Sequence, residues 1–68
     1  MSKRFAVAWL NYFDNDLELS VVEANTWQEA LEKAKPGYVE NVADAGDDMD
    51  KARELAVDQD WTFTVKEI

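Results

Sequence analysis

From Arg4 to Tyr12 the chain reads Arg-Phe-Ala-Val-Ala-Trp-Leu-Asn-Tyr. In the alternating geometry of a strand this puts Phe5, Val7 and Trp9 on one face and Ala6, Ala8, Leu10 and Tyr12 on the other. A strand apolar on both sides belongs in the middle of a sheet, so the remaining elements must supply a neighbour on each flank and a layer to cover at least one face. The chain has only 68 residues for this, and a domain that small buries about 60% of the surface its unfolded chain exposes. It has no Cys and no His to provide a disulfide or the common zinc sites, which leaves self-association as the remaining way to add buried surface. Residues 1–68 are expected to form one domain.

The flanking elements follow from local signals. Phe13-Asp14-Asn15-Asp16 is a turn, because Asp and Asn bond their own backbone and tolerate left-handed geometry. Leu17 to Ala24 returns as a second strand, with Leu17, Leu19 and Val21 on one face and Glu18, Ser20 and Val22 on the other; the two strands make a hairpin. Thr26 followed by Glu29 is a capping-box pattern that starts a helix. Trp27, Ala30, Leu31 and Ala34 form its apolar stripe, Glu29 and Lys33 an i,i+4 ion pair, and Pro36-Gly37 its stop. Tyr38 to Ala45 suits either a helical face or strand alternation, with a short helix or turn preferred over a strand. Asp47 is the expected cap of a second helix running to about Val57, with Met49, Ala52 and either Leu55 or Ala56 inward. Trp61 to Lys66 alternates as a last strand. The order ββααβ predicts an α+β two-layer sandwich: a three-stranded antiparallel or mixed sheet, first strand central, with both helices on one face.

The side-chain inventory excludes most catalysis. Nucleophilic chemistry needs a Ser, Cys, Thr or Lys beside a base, usually His, and the only serines are Ser2 near a terminus and Ser20 inside a strand. A carboxylate pair would need a deep pocket to raise one pKa, for which a domain this size has little room. The acidic run from Asp44 fails as a calcium loop: positions 3, 6 and 12 hold Gly46, Met49 and Leu55 where an EF-hand needs an oxygen ligand, Gly and Glu. We therefore expect no enzyme, no cofactor and no metal.

Charge carries more information than any motif. The formal net charge is −8, and between Glu40 and Asp60 lie Glu40, Asp44, Asp47, Asp48, Asp50, Glu54, Asp58 and Asp60, opposed only by Lys51 and Arg53. Such a chain repels phosphate backbones, so direct nucleic-acid binding is disfavoured and a basic protein surface is the natural partner. These carboxylates are the candidate partner-binding residues. The sharp reading is that they mimic a run of phosphates and inhibit a nucleic-acid-binding protein by occupying its basic site. The bland reading is a solubilising surface.

A second candidate surface comes from the surplus of apolar strand positions. With the helices over Phe5, Val7 and Trp9, the residues Ala6, Ala8, Leu10 and Tyr12 stand on the open face, with Val22, Thr62 and Thr64 beside them. A contiguous apolar patch of that kind suits self-association as a homodimer, which makes a structural or assembly module the alternative function. Scattered exposed apolar groups are, however, normal on monomers. No apolar run approaches the roughly 18 residues a membrane span needs, and nothing near the start reads as a signal core, so cytoplasmic is the expected location.

The segment Val21-Val22-Glu23-Ala24-Asn25-Thr26-Trp27-Gln28-Glu29-Ala30-Leu31-Glu32-Lys33-Ala34 resembles a recurrent type of small protein encoded by phages and other mobile elements. In these a hairpin ends in a Glu-Ala pair, a capped helix carries a Glu-Ala-Leu core and a terminal strand, here Trp61 to Ile68, completes the sheet. The likeness covers about half the chain, rests on hairpin-to-helix grammar, and finds no counterpart for the acidic segment from Glu40 to Asp60. It implies a host-interaction or regulatory role through protein binding and carries over no individual functional residue.

Overall fold

A computed structural model describes residues 2–68. Three strands, β1 (Lys3–Asn11), β2 (Asp16–Ala24) and β3 (Trp61–Glu67), form one sheet in the order β2-β1-β3, with both pairings antiparallel. The doubly apolar strand is thus the central one. Between β2 and β3 come α1 (Trp27–Ala34), a 3-10 helical segment (Val39–Ala45) and α2 (Met49–Val57). The protein is an α+β fold whose helices lie on one face of a fully antiparallel sheet.

The hairpin turn is built by Asn11, whose Oδ1 accepts from the Phe13 and Asp14 N–H groups at 2.9 and 3.1 Å. Asn15 closes it at φ 52°, a backbone region that Asn tolerates better than most residues. Tyr12 belongs to this turn and not to the strand; its N–H donates to the Asp60 carbonyl at 2.8 Å, which ties the hairpin to the start of β3.

The turn also sets the register, and with it which face each β2 side chain occupies. Partner numbers along β1 and β2 sum to 27 (Lys3 with Ala24, Phe5 with Val22, Asn11 with Asp16), so odd positions of β1 share a face with even positions of β2. Val22 therefore lies on the helix-covered side opposite Phe5, where it packs against the core, and not on the open face. Leu17, Leu19 and Val21 occupy the open face instead. A pairing shifted by one residue would exchange the two sets.

One core fills the space between sheet and helices. Phe5, Val7 and Trp9 from β1 meet Trp61, Phe63 and Val65 from β3, while Ala30 and Leu31 of α1, Ala52 and Ala56 of α2, and Val42 close it from above. No polar or charged residue among those described is buried. Each large side chain so buried contributes about 1.5–3 kcal/mol relative to exposure. Ala30, Ala52 and Ala56 have no exposed surface at all; their small side chains let both helices lie close to the sheet.

The helices begin and end where their residues dictate. Thr26 Oγ1 accepts from the Glu29 N–H at 3.2 Å, and Lys33 sits 3.9 Å from Glu29. The second helix is capped one residue later than Asp47: Asp48 Oδ1 accepts from the Lys51 N–H at 3.1 Å. Both Ala52 and Ala56 are buried, with Leu55 and Met49 packed at the margin. Across the ambiguous stretch the chain takes the 3-10 course, broken at Val42 (φ −122°, ψ 17°), whose side chain is driven into the core. Tyr38 lies just before it, between Trp9 and Trp61, with ring centroids 5.0 and 4.8 Å away in T-shaped contacts.

Candidate functional site

Two surfaces on opposite sides of the molecule hold the candidate residues. On the helical layer Glu40 and Asp44 lie on the 3-10 segment, Asp47 and Asp48 in the loop before α2, Asp50 and Glu54 on α2, and Asp58 and Asp60 in the turn into β3; all eight side chains are exposed. They do not form one uniform set. Asp48 is committed to capping α2. Asp47 accepts from the Gln28 side-chain amide at 2.7 Å, and Asp50 pairs with Arg53, whose other amino group reaches round the sheet edge to Thr64 Oγ1 at 3.5 Å.

The remaining five, Glu40, Asp44, Glu54, Asp58 and Asp60, have no side-chain hydrogen bond or ion pair among the described residues. Arg53, Glu54, Val57 and Asp58 line one shallow depression on α2, and Val57 is half exposed there. This apolar spot between carboxylates went unnoticed in the sequence because Val57 ends the helix, where the stripe pattern has stopped. Among the described residues no group of three or more His, Cys, Asp or Glu side chains is arranged to hold a metal ion, and no helix is long and apolar enough to cross a membrane.

The second surface is the uncovered face of the sheet. Ala6, Ala8 and Leu10 of β1 face outward and pair with Val21, Leu19 and Leu17 of β2 and with Lys66, Thr64 and Thr62 of β3. The two alanines leave a trough along the central strand, bounded by Leu19 and Val21 on one side and Thr64 and Lys66 on the other. Leu17, Leu19 and Val21 are 59, 73 and 56% exposed. Of the four residues expected to make this patch, Ala6, Ala8 and Leu10 lie within it, while Tyr12 sits at the hairpin end in the turn, half exposed. The three β2 residues are the ones sequence reasoning missed. The length of the hairpin turn was the signal that could have found them.

The two faces differ in charge as sharply as in polarity. The sheet's outward positions bring only Arg4, Glu23 and Lys66 as charged groups, whereas the helical layer carries the eight carboxylates. Comparison with known proteins gives no match: no family model, no curated protein and no solved structure aligns with the chain.

Proposed function

We propose that the protein is a non-catalytic protein-binding modulator that presents its acidic helical layer to a basic surface on a nucleic-acid-handling partner. In its sharpest form it is an inhibitor that occupies the partner's nucleic-acid site in place of a run of phosphates. One observation carries the reading: Glu40, Asp44, Glu54, Asp58 and Asp60 are exposed and unengaged among the described residues, while the carboxylates the fold needs, Asp47, Asp48 and Asp50, are distinct from them. Carboxylates fixed on a folded layer steer a basic partner and bias the orientation in which it arrives. Val57, half exposed between Glu54 and Asp58, adds the apolar contact that a purely charged surface lacks. The resemblance of the hairpin-to-helix segment to phage and mobile-element proteins supports a host-directed regulatory role. The cysteine-free composition fits action in the reducing cytoplasm.

The test is affinity capture at low and high salt, with duplex DNA as competitor, using the wild-type chain and the double variant Glu54→Lys/Asp58→Lys. The reading expects nucleic-acid-binding proteins among the captures, released by salt and by the duplex and lost with the double variant. Captures indifferent to salt and to the charge reversal would overturn it.

The alternative, a module that self-associates through the open sheet face, is supported by a separate observation, the exposure of Leu17, Leu19 and Val21.

A further inference from the structure

We propose that the free edge of β2 is a strand-addition surface whose occupant is the same edge of a second copy, joined antiparallel about a twofold axis at Leu19. The inference concerns backbone groups of the strand that packs against α1 and not the carboxylates of the acidic layer, so it stands or falls independently of the partner assigned to that layer.

Which backbone groups face the edge follows from two hydrogen bonds on the other side of the sheet. The Ile68 N–H donates to the Arg4 carbonyl at 2.9 Å and the Tyr12 N–H to the Asp60 carbonyl at 2.8 Å, so even positions of β1 turn their backbone groups toward β3. In a strand the N–H and C=O of one residue point to the same side, and the side alternates along the chain. Odd positions of β1 therefore bond β2, and they do so through its even positions, such as Phe5 with Val22 and Val7 with Ser20. The backbone groups of Leu17, Leu19, Val21 and Glu23 are left pointing away from the sheet.

The two edges are guarded unequally. On the β3 side Arg53 crosses from α2 to Thr64 Oγ1 at 3.5 Å, laying a charged side chain over the edge in the way proteins block strand pairing. On the β2 side the Glu23 carbonyl accepts from the Lys33 ammonium. Between Lys33 and the hairpin turn, Leu17, Leu19 and Val21 keep three N–H and three C=O groups with no partner among the described residues. The register with β1 runs unbroken from Asp16 to Ala24, so no bulge turns this window away. An extended strand is the ligand that satisfies groups spaced in that alternation.

The window is complementary to itself. With the axis at Leu19, Leu19 pairs with its own copy and Leu17 with Val21 of the second copy, so every free group of the window is used, in about six hydrogen bonds. Glu18, held by its own Lys35 at 3.2 Å, stands opposite Ser20 of the second copy, and no like charges oppose each other. Moving the axis to residue 17 or 18 sets Glu18 against Asp16 or against itself. Moving it to residue 20 or 21 calls on the Glu23 carbonyl that Lys33 holds. An isologous contact demands this kind of self-pairing. Because α2 packs against β3, the arrangement also places the acidic α2 helices of the two copies toward opposite ends of one continuous sheet, β3-β1-β2 meeting β2-β1-β3.

Sedimentation of the full chain and disulfide trapping test this together. Wild type is expected to move from the monomer mass of 7.8 kDa toward twice that value as concentration rises from low micromolar to about 1 mM. Leu19→Pro deletes an edge-facing N–H that β1 does not use, at a kind of position where sheets tolerate Pro, and should keep the wild-type circular dichroism while weakening the dimer about tenfold or more. Leu19→Thr changes the same side chain but keeps the N–H, and should stay within a few-fold of wild type. Because the chain has no Cys, single cysteines report the register. Leu19→Cys brings the paired Cα atoms to about 5.5 Å, within disulfide range, whereas Leu17→Cys leaves them about 13 Å apart. Mild oxidation should cross-link Leu19→Cys about tenfold faster than Leu17→Cys or Val21→Cys. A wild-type monomer across the whole range overturns the proposal, as does a dimer unchanged in a folded Leu19→Pro. Equal loss of the dimer in Leu19→Thr and Leu19→Pro would mark a side-chain contact on the open face and also overturn it. Equal cross-linking at the three positions would refute the Leu19 axis, even where Leu19→Pro fails to fold.

Discussion

The Gln28 side-chain amide donates to the Asp47 carboxylate at 2.7 Å, joining the first turn of α1 to the loop before α2. The neighbouring Trp27 indole N–H reinforces the joint by donating to the Asp47 carbonyl at 3.1 Å. Two sequence-distant pieces of the helical layer are thereby held in fixed relation, so Asp47 acts on the fold more than on any partner. Asp47→Ala should lower stability by about 0.5 kcal/mol, the lower part of the range for a hydrogen bond since the pair is exposed. Asp47→Asn, which retains an acceptor oxygen, should lose less. Urea unfolding of the two variants checks the order.

The eight carboxylates should separate into two classes when neutralised. Asp48→Ala removes the α2 cap and should cost about 1 kcal/mol of stability, with Asp48→Ser recovering most of it. Glu54→Gln and Asp58→Asn touch no hydrogen bond or ion pair among the described residues and should stay within about 0.5 kcal/mol of wild type. If the acidic layer is the working surface, those two silent substitutions should slow association with a basic partner, and the effect should fade as salt is added. Stopped-flow association rates beside denaturation curves would show whether the classes cross over in this way.

Buried indole nitrogens offer a finer contrast. Trp61 is 2% exposed, and among the described residues neither its Nε1 nor that of the buried Trp9 has a hydrogen-bond partner. A buried donor left unpaired costs about 1–3 kcal/mol. Trp61→Phe relieves that cost while it sacrifices ring contacts, so the net loss should be small, about 1 kcal/mol. Trp27 is less buried, but its N–H is satisfied by Asp47 and its ring stacks on Phe63 at 5.6 Å. Trp27→Phe should therefore destabilise at least as much as Trp61→Phe, contrary to the ranking by burial alone. Thermal and urea midpoints of the two variants decide the matter.

The close approach of α2 to the sheet rests on Ala52, which has no exposed surface. Ala52→Leu should force the helix outward and cost about 1–3 kcal/mol, as overpacking does in dense cores. Ala52→Ser tests volume apart from polarity: it keeps the size and adds a hydroxyl in a core without polar residues, so its penalty should come from that unpaired group. Chemical denaturation of both resolves the two sources.

Much of this architecture is legible in the residues because it is written in short-range periodicity. The central strand announces itself through two apolar faces, and α1 through Thr26, its stripe and the Pro36-Gly37 stop. Where the readings part from the structure, the deciding term is a spatial one. Val22 and the Leu17, Leu19, Val21 set exchange faces because a side chain's face in a paired strand depends on register, and the register is fixed by the Asn11 turn and not by the strand's own alternation. Asp47 and Asp48 are equally good caps by type; Asp48 takes the role because Asp47 is engaged with Gln28. Of the acidic set, the residues committed to the fold could not be told from the free ones until their neighbours were in place.

The pairing of β1 with β3 has a consequence for biosynthesis. Phe5 lies opposite Glu67, and β3 brings Trp61, Phe63 and Val65 to a core begun by the first strand. A chain that has reached only Asp60 has its hairpin and helical segments in hand, yet lacks Trp61 and Phe63, two of the largest core side chains, together with Val65, and a two-stranded hairpin is marginal alone. Completion of the core is therefore expected to depend on β3. Before β3 pairs, Leu17, Leu19 and Val21 share the solvent with an unfilled core, and the net charge of −8 opposes association of such unfinished copies.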